Sequence, residues 1–166
     1  FDEQFARNAL PGLSSSKPQA AESMISEEVS PTSEPVQNWL AVVDIDHFKH
    51  INDHYGHAVG DDVLAGFAET ARQTLRKADV LSRWGGEEFL LLMPETNNGD
   101  PNIGIERLRS QLSSLTISAD APDLRVTFSA GISRFIQGER ITDTIKRADA
   151  ALYDAKAEGR NRTVSV

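Results

Sequence analysis

Val80-Leu81-Ser82-Arg83-Trp84-Gly85-Gly86-Glu87-Glu88-Phe89-Leu90-Leu91-Leu92-Met93 is the stretch on which the reading of this chain turns. Two β-prone runs, Val80–Trp84 and Phe89–Met93, flank Gly85-Gly86, a pattern that predicts a tight β-hairpin. Glycine supplies the positive φ of such a turn and lets a large ligand approach the backbone. Glu87 and Glu88 follow at once, so two carboxylates stand at the mouth of the turn. A hairpin that only reverses the chain has no need of paired acids there.

Outward from the hairpin, the chain alternates between strand and helix patterns. Trp39–Ile45 is almost wholly apolar and predicts a strand at the centre of a sheet. A short helix is predicted over Phe48–Tyr55, with Gly56 placed to end it. Asp61 is expected to cap a long helix whose apolar stripe is Leu64, Phe67, Ala68, Ala71 and Leu75. Beyond the hairpin, Ile105, Leu108, Leu112 and Leu115 mark a third helix, and Leu124–Phe135 alternates as a strand. Thr142 offers an N-cap for a last helix that turns Ile145, Ala148, Leu152 and Ala155 inward. Gly159 closes it, and Thr163–Val166 reads as an edge strand. The order βααββαβαβ contains an adjacent hairpin, which excludes a purely parallel sheet. The fold class expected is an α/β (α+β) sandwich, with a central, mostly antiparallel sheet flanked by helices.

Composition bounds the function. The chain has 166 residues, 39% hydrophobic, enough for one globular domain with a real core. Without cysteine it has neither a disulfide framework nor a thiolate metal site. No apolar run approaches membrane-spanning length, so no membrane contact is expected of this stretch. A net charge of −8 argues against binding a nucleic-acid polymer. Residues 11–38 are rich in Ser, Pro, Glu and Ala and read as a mobile segment after a short helix carrying Phe1 and Phe5. The division expected is therefore 1–38 and a globular domain over 39–166. The chain begins at Phe1 without a signal peptide, which reads as a cytoplasmic domain cut from a larger protein.

Several residues carry chemistry. Asp44 ends the first strand, and Glu87 is expected at the start of the strand after the turn, with Asp46 and Glu88 nearby. Carboxylates on adjacent strand ends suit Mg²⁺, a hard cation that takes few protein oxygens and completes its shell with phosphate and water. Lys49 lies where the short helix presents free N–H groups, a setting for phosphate. Lys156 and Arg160, four residues apart at the end of the last helix, suit phosphate or simple compensation of the helix dipole. The four histidines, His47, His50, His54 and His57, fall in one stretch, and His50 and His54 have helical metal-ligand spacing. No cysteine or His-Glu-x-x-His pattern accompanies them, so they read as surface residues and a structural histidine rather than a zinc site. Arg76-Lys77-Ala78-Asp79 and Arg140-Ile141-Thr142-Asp143 are two Arg-x-x-Asp strings, a pattern short enough to arise by chance.

Taken in order, these motifs resemble the GGDEF family of diguanylate cyclases, here as Gly85-Gly86-Glu87-Glu88-Phe89. Asp44-Ile45-Asp46-His47-Phe48-Lys49, Ile51-Asn52-Asp53, Gly56-His57 and Gly60-Asp61 match upstream. Ala151-Leu152-Tyr153-Asp154-Ala155-Lys156 and Gly159-Arg160-Asn161 match downstream, so the likeness runs from about Trp39 to the end. The resemblance implies a ferredoxin-like, polymerase-palm fold and synthesis of cyclic di-GMP from two GTP, by two domains meeting as a homodimer. It implies Mg²⁺, or Mn²⁺ in its place, on Asp44, the Ile45 carbonyl and Glu87, with Glu88 aiding the metal or a proton. It implies guanine recognition by Asn52 and Asp61 and phosphate binding by Lys156 and Arg160. Phe48, Lys49, His57, Gly85 and Gly86 join the substrate-binding set. Arg76 and Asp79, with five residues between Asp79 and Gly85, fall at the family's product-inhibition site, which Arg107 completes. The family's Asp-x-Leu-Thr-x-Leu-x-Asn-Arg motif is missing, and the segment before the first strand is longer than usual. The alternative is a catalytically silent cyclic di-GMP receptor, but degenerate members lose the carboxylates or glycines that this chain keeps.

Overall fold

A computed structural model describes residues 38–94 and 99–166. The helix expected near Phe1 and the segment over residues 11–37 lie outside the described residues. The elements are β1 (Asn38–Ile45), α1 (Phe48–Tyr55), α2 (His57–Thr74), β2 (Val80–Gly85), β3 (Glu88–Pro94), α3 (Asn102–Ser114), β4 (Phe128–Arg134), α4 (Ile141–Ala157) and β5 (Thr163–Ser165). They form one five-stranded sheet in the order β2-β3-β1-β4-β5. β1 runs antiparallel to both its neighbours, and only the β4–β5 pair is parallel, joined through α4. The expected sandwich, with a mostly antiparallel sheet and β1 at its centre, is the fold observed.

β1 is central because it is apolar on both faces. Alternate residues of a strand point to opposite sides. Ala41, Val43 and Ile45 face a core built with Phe48 and Ile51 of α1, Val63 and Phe67 of α2, and Ile105, Leu108 and Leu112 of α3. Leu40 and Val42 face the other way, onto Ile141, Ala148 and Leu152 of α4. Phe67 anchors the larger core, its ring centroid 4.7 Å from that of Phe89 and 5.5 Å from that of Phe128. α4 lies hard against the sheet at Gly131, where a Cβ would come within 2.0 Å of the Ala148 carbonyl oxygen. That contact fixes the height of α4 above β4, and with it the place where its last turn emerges.

Three boundaries differ from expectation. Asp61 does not cap the long helix. Gly56, at φ 86, closes α1 and opens α2 at His57, so Asp61 is the exposed fifth residue of α2. One glycine serves both helix ends and removes the need for a polar cap. Thr142 likewise falls inside α4, which begins at Ile141 behind Arg140. β4 begins at Phe128 because its partner β1 ends at Ile45, and the residues before it turn at Ala121–Leu124.

The loop between β4 and α4 is closed by an ion pair. Glu139 accepts hydrogen bonds from Arg147 Nη1 and Nη2, both at 2.7 Å, from Thr144 Oγ1 at 2.6 Å and from the Ile136 amide at 2.9 Å. Arg147 also donates to Ser133 Oγ and to the Arg134 carbonyl. These bonds, Arg147 first, hold the Glu139 carboxyl down at about 2. A carboxyl depressed in the folded state stabilises above its ordinary pKa, and the effect disappears as pH falls through the folded value. Glu139→Gln is expected to lower the thermal midpoint at pH 7, with the gap to wild type closing between pH 4.5 and about 2. Circular-dichroism melts across that range test it, and a gap independent of pH would contradict it.

Candidate active site

The site forms where β1 ends beside the hairpin turn. Asp44 pairs directly opposite Glu88 on the neighbouring antiparallel strand. Like charges directly across a ladder are destabilising. Lys156, from the last turn of α4, offsets them: its Nζ lies 2.9 Å from Asp44 Oδ2. Burial pushes the Asp44 carboxyl above the usual aspartate range; Lys156 opposes that, while the charges of Glu87 and Glu88 add to it.

The turn differs from expectation in one respect. β2 runs to Gly85 and β3 starts at Glu88, so Gly86 and Glu87 are the two turn residues. Glu87 therefore sits in the turn, not on the strand. Gly86 adopts φ 56, a left-handed conformation natural to glycine, and nothing lies within 4 Å of where its Cβ would be. Arg83 braces the turn by donating to the Gly86 carbonyl from Nε at 3.0 Å and Nη2 at 2.7 Å. A register shift between Arg83 and Gly85 marks the bulge that admits this turn. The Ile45 amide donates to the Glu87 carbonyl at 3.3 Å and ties β1 to the turn.

An open cleft of about 180 Å³ lies at this corner, lined among others by Asp44, Glu87, Phe48, Lys49, Lys156 and Arg160. His47, at φ 58, bends the chain from the end of β1 into α1 and so brings Phe48 and Lys49 to the wall. Among the described residues no three acidic or imidazole side chains converge into a ready-made metal cage. The donor set still fits a hard divalent ion that takes few protein oxygens. Asp44 already holds a cationic group, and Glu87 and Ile45 line the same cleft.

Asn52 and Asp61 are not on the wall of that cleft. Asn52, on α1, lies against Gly60 of α2, the residue before Asp61. A Cβ at Gly60 would fall 1.9 Å from Asn52 Oδ1, so glycine leaves room for the carboxamide where it stands. His57, at the start of α2, is exposed. The His50 and His54 rings stack at 5.8 Å on the exposed side of α1, with no third ligand among the described residues.

Asp46 behaves differently from the other acids. Both its oxygens are taken by the protein. Oδ1 accepts from Ser129 Oγ at 2.7 Å, and Oδ2 from Thr127 Oγ1 at 2.8 Å and the Asn161 amide at 3.0 Å. Sequence reasoning grouped Asp46 with the acids at the turn, and missed Thr127, Ser129, Arg83 and Arg109. For Arg109 a signal existed: it lies four residues after Ile105, beside the apolar stripe of α3.

At the opposite end of the sheet, Arg76 and Asp79 close the turn between α2 and β2. Asp79 Oδ2 accepts from the Arg76 amide at 2.9 Å, and burial pushes the Asp79 carboxyl upward. Asp79 Oδ1 and Trp39 Nε1 are both buried without a hydrogen-bond partner among the described residues, and both residues line the small cavity there with Arg76. Arg107 reaches the same region from α3, donating to the Thr74 carbonyl at 2.6 Å, and its charge is felt by Asp79. The other Arg-x-x-Asp string is a surface pair: Arg140 Nε lies 3.2 Å from Asp143 Oδ2 on the first turn of α4.

Residues 10–162 match the family model described as "Diguanylate cyclase, GGDEF domain". The chain belongs to the GGDEF family. It is 46% identical over 123 residues to the diguanylate cyclase DgcP of Pseudomonas aeruginosa, a match covering 74% of this chain and 18% of that protein. The chain thus spans under a fifth of that relative's length. Among solved structures it is similar to the P. aeruginosa diguanylate cyclase SiaD in complex with its activator SiaC. That match has 42% identity and a TM-score of 0.74, and covers 78% of this chain and 50% of that one. The GGDEF domain of Caulobacter crescentus DgcB, in complex with c-di-GMP, matches at 34% identity and a TM-score of 0.72, covering 78% of each chain.

Proposed function

We propose that this chain is the catalytic domain of a diguanylate cyclase, joining two GTP molecules into cyclic di-GMP with release of two pyrophosphates. The observation that carries this reading is the corner at which Asp44, Glu87, Lys49, Lys156 and Arg160 line one open cleft. Asn52 and Asp61 would read guanine. A carboxylate accepts from N1 and N2 together, and a carboxamide meets a donor and an acceptor at once. Lys49, Lys156 and Arg160 would hold the phosphates. Asp44, Glu87 and the Ile45 carbonyl would hold Mg²⁺ or Mn²⁺, which neutralises phosphate charge and lowers the pKa of a bound hydroxyl.

Each domain has one such cleft, so cyclisation needs a second copy facing the first. The 3′-hydroxyl of each GTP attacks the α-phosphate of the other, Glu88 stands near to take a proton, and pyrophosphate leaves. Catalysis is then alignment and charge neutralisation. GTP is a cytoplasmic nucleotide, and a cytoplasmic location follows from it; no helix among the described residues is long and apolar enough to cross a membrane. A silent receptor would have no use for this acidic corner.

Glu87→Gln is expected to preserve the fold and abolish turnover, because the amide lacks the charge a divalent ion requires. Product formation from GTP, followed by chromatography, tests this; full activity with normal dependence on the ion would contradict it.

The Arg76–Asp79 turn supports product inhibition at a second surface, since Arg forks to guanine N7 and O6 while Asp accepts from N1 and N2. Arg76→Ala is expected to relieve inhibition by cyclic di-GMP and leave the initial velocity near wild type. Arg140→Ala, in the surface pair, is expected to leave inhibition intact. Inhibition constants for both variants decide the matter: inhibition that survives Arg76→Ala, or is lost equally in both, contradicts the assignment.

A further inference from the structure

The turn after α4 carries Arg160 in an unusual backbone. Arg160 at φ 62 and Asn161 at φ 47 are consecutive left-handed residues, neither of them glycine. Such conformations persist only where the surroundings over-determine them. Here a buried carboxylate and a half-buried guanidinium grip Asn161. From below, Asp46 Oδ2 accepts the Asn161 amide at 3.0 Å, while Ser129 and Thr127 hold the Asp46 carboxylate still. From the side, Arg109 Nη1 donates to Asn161 Oδ1 at 3.2 Å.

Arg109 is itself fixed. Its side chain is 11% exposed, and its guanidinium carbon lies 4.3 Å from the Phe128 ring centroid. It donates to the Phe128 carbonyl, to Thr163 Oγ1 at 2.7 Å and to Glu106 Oε2 at 3.1 Å. Glu106 Oε1 in turn accepts from Thr163 Oγ1 at 2.9 Å. Neither Asp46 nor Arg109 has a role in the chemistry proposed above, yet both converge on the residue that follows Arg160.

We propose that Asp46 and Arg109 are positioning residues for the phosphate-binding end of α4, acting through Asn161 to hold Arg160 at the cleft. Without them the strained turn relaxes and Arg160 loses its fixed approach to the phosphates. This inference rests on the substrate reading given above, and guanine recognition at the α1–α2 junction lies outside its reach.

The test uses the full chain and two ligands: a GTP analogue that cannot be cleaved at the α-phosphate, and guanosine, which has the base and no phosphate. Affinities are measured by calorimetry in Mn²⁺, the analogue directly and guanosine by competition. Arg109→Met and Asp46→Ala are expected to weaken the analogue roughly tenfold, the scale of a disturbed hydrogen bond to a charged group. Guanosine is expected to bind as to wild type. Asp46→Asn keeps an oxygen for the Asn161 amide and is expected to recover most of the loss. A metal ligand at position 46 would instead lose Mn²⁺ binding in both Asp46 variants. Asn161→Gly accepts the left-handed backbone without strain and removes only the tie to Arg109. It is expected to fold and still weaken the analogue, so it decides the question if Arg109→Met does not fold. Equal losses for both ligands, or no loss for either, overturn the proposal. A wild-type chain that does not bind the analogue overturns the substrate reading, and the positioning role with it.

Discussion

The Asp44 carboxylate is the constraint around which the site is arranged. It is buried at the end of the central strand, opposite Glu88 and within the field of Glu87. An acid so placed needs a cation. In the structure Lys156 is that cation, 2.9 Å away. Lys156 can serve because α4 is set against β4 at Gly131, which directs its last turn to the strand end. One interaction thus links the core packing of α4 to the electrostatics of the cleft. It also suggests why a corner crowded with carboxylates suits a ligand that brings both a divalent ion and phosphates. Such an ion would take over the acids and leave Lys156 available to an anion.

The same strand separates two surfaces. Trp39, near its start, lines the cavity with Arg76 and Asp79, while Asp44, near its end, lines the acidic cleft. Five residues apart on one strand, they stand about 17 Å from each other. A ligand at the first surface cannot touch the second directly. Inhibition from there would act by holding two domains in an arrangement that keeps their clefts apart.

Much of this was legible in the sequence. The apolar run before Asp44 predicted a central strand, and the flanked Gly85-Gly86 predicted the hairpin, because both signals are local. α1 was legible to its boundaries, Phe48 and Tyr55, since Gly56 ends it as expected. What escaped depends on partners distant in sequence. Asp61 looked like a cap because caps are common for Asp, but Gly56 had already turned the chain. Asp46 read as one more acid near Asp44, just past the expected end of the strand at Ile45. β1 stops at Ile45, and the left-handed His47 redirects the chain, so Asp46, at the edge of the cleft, spends both carboxylate oxygens on Thr127, Ser129 and Asn161. No sequence period encodes a contact across 115 residues.

The central claim is that this corner makes a cyclic dinucleotide from GTP. The most direct measurement is to incubate the purified chain with GTP and Mg²⁺ and identify the products by mass. The products expected are cyclic di-GMP and pyrophosphate, formed from GTP in preference to ATP and at a rate per molecule that rises with protein concentration. Absence of any cyclic dinucleotide, from a chain that is folded and binds GTP, would contradict it.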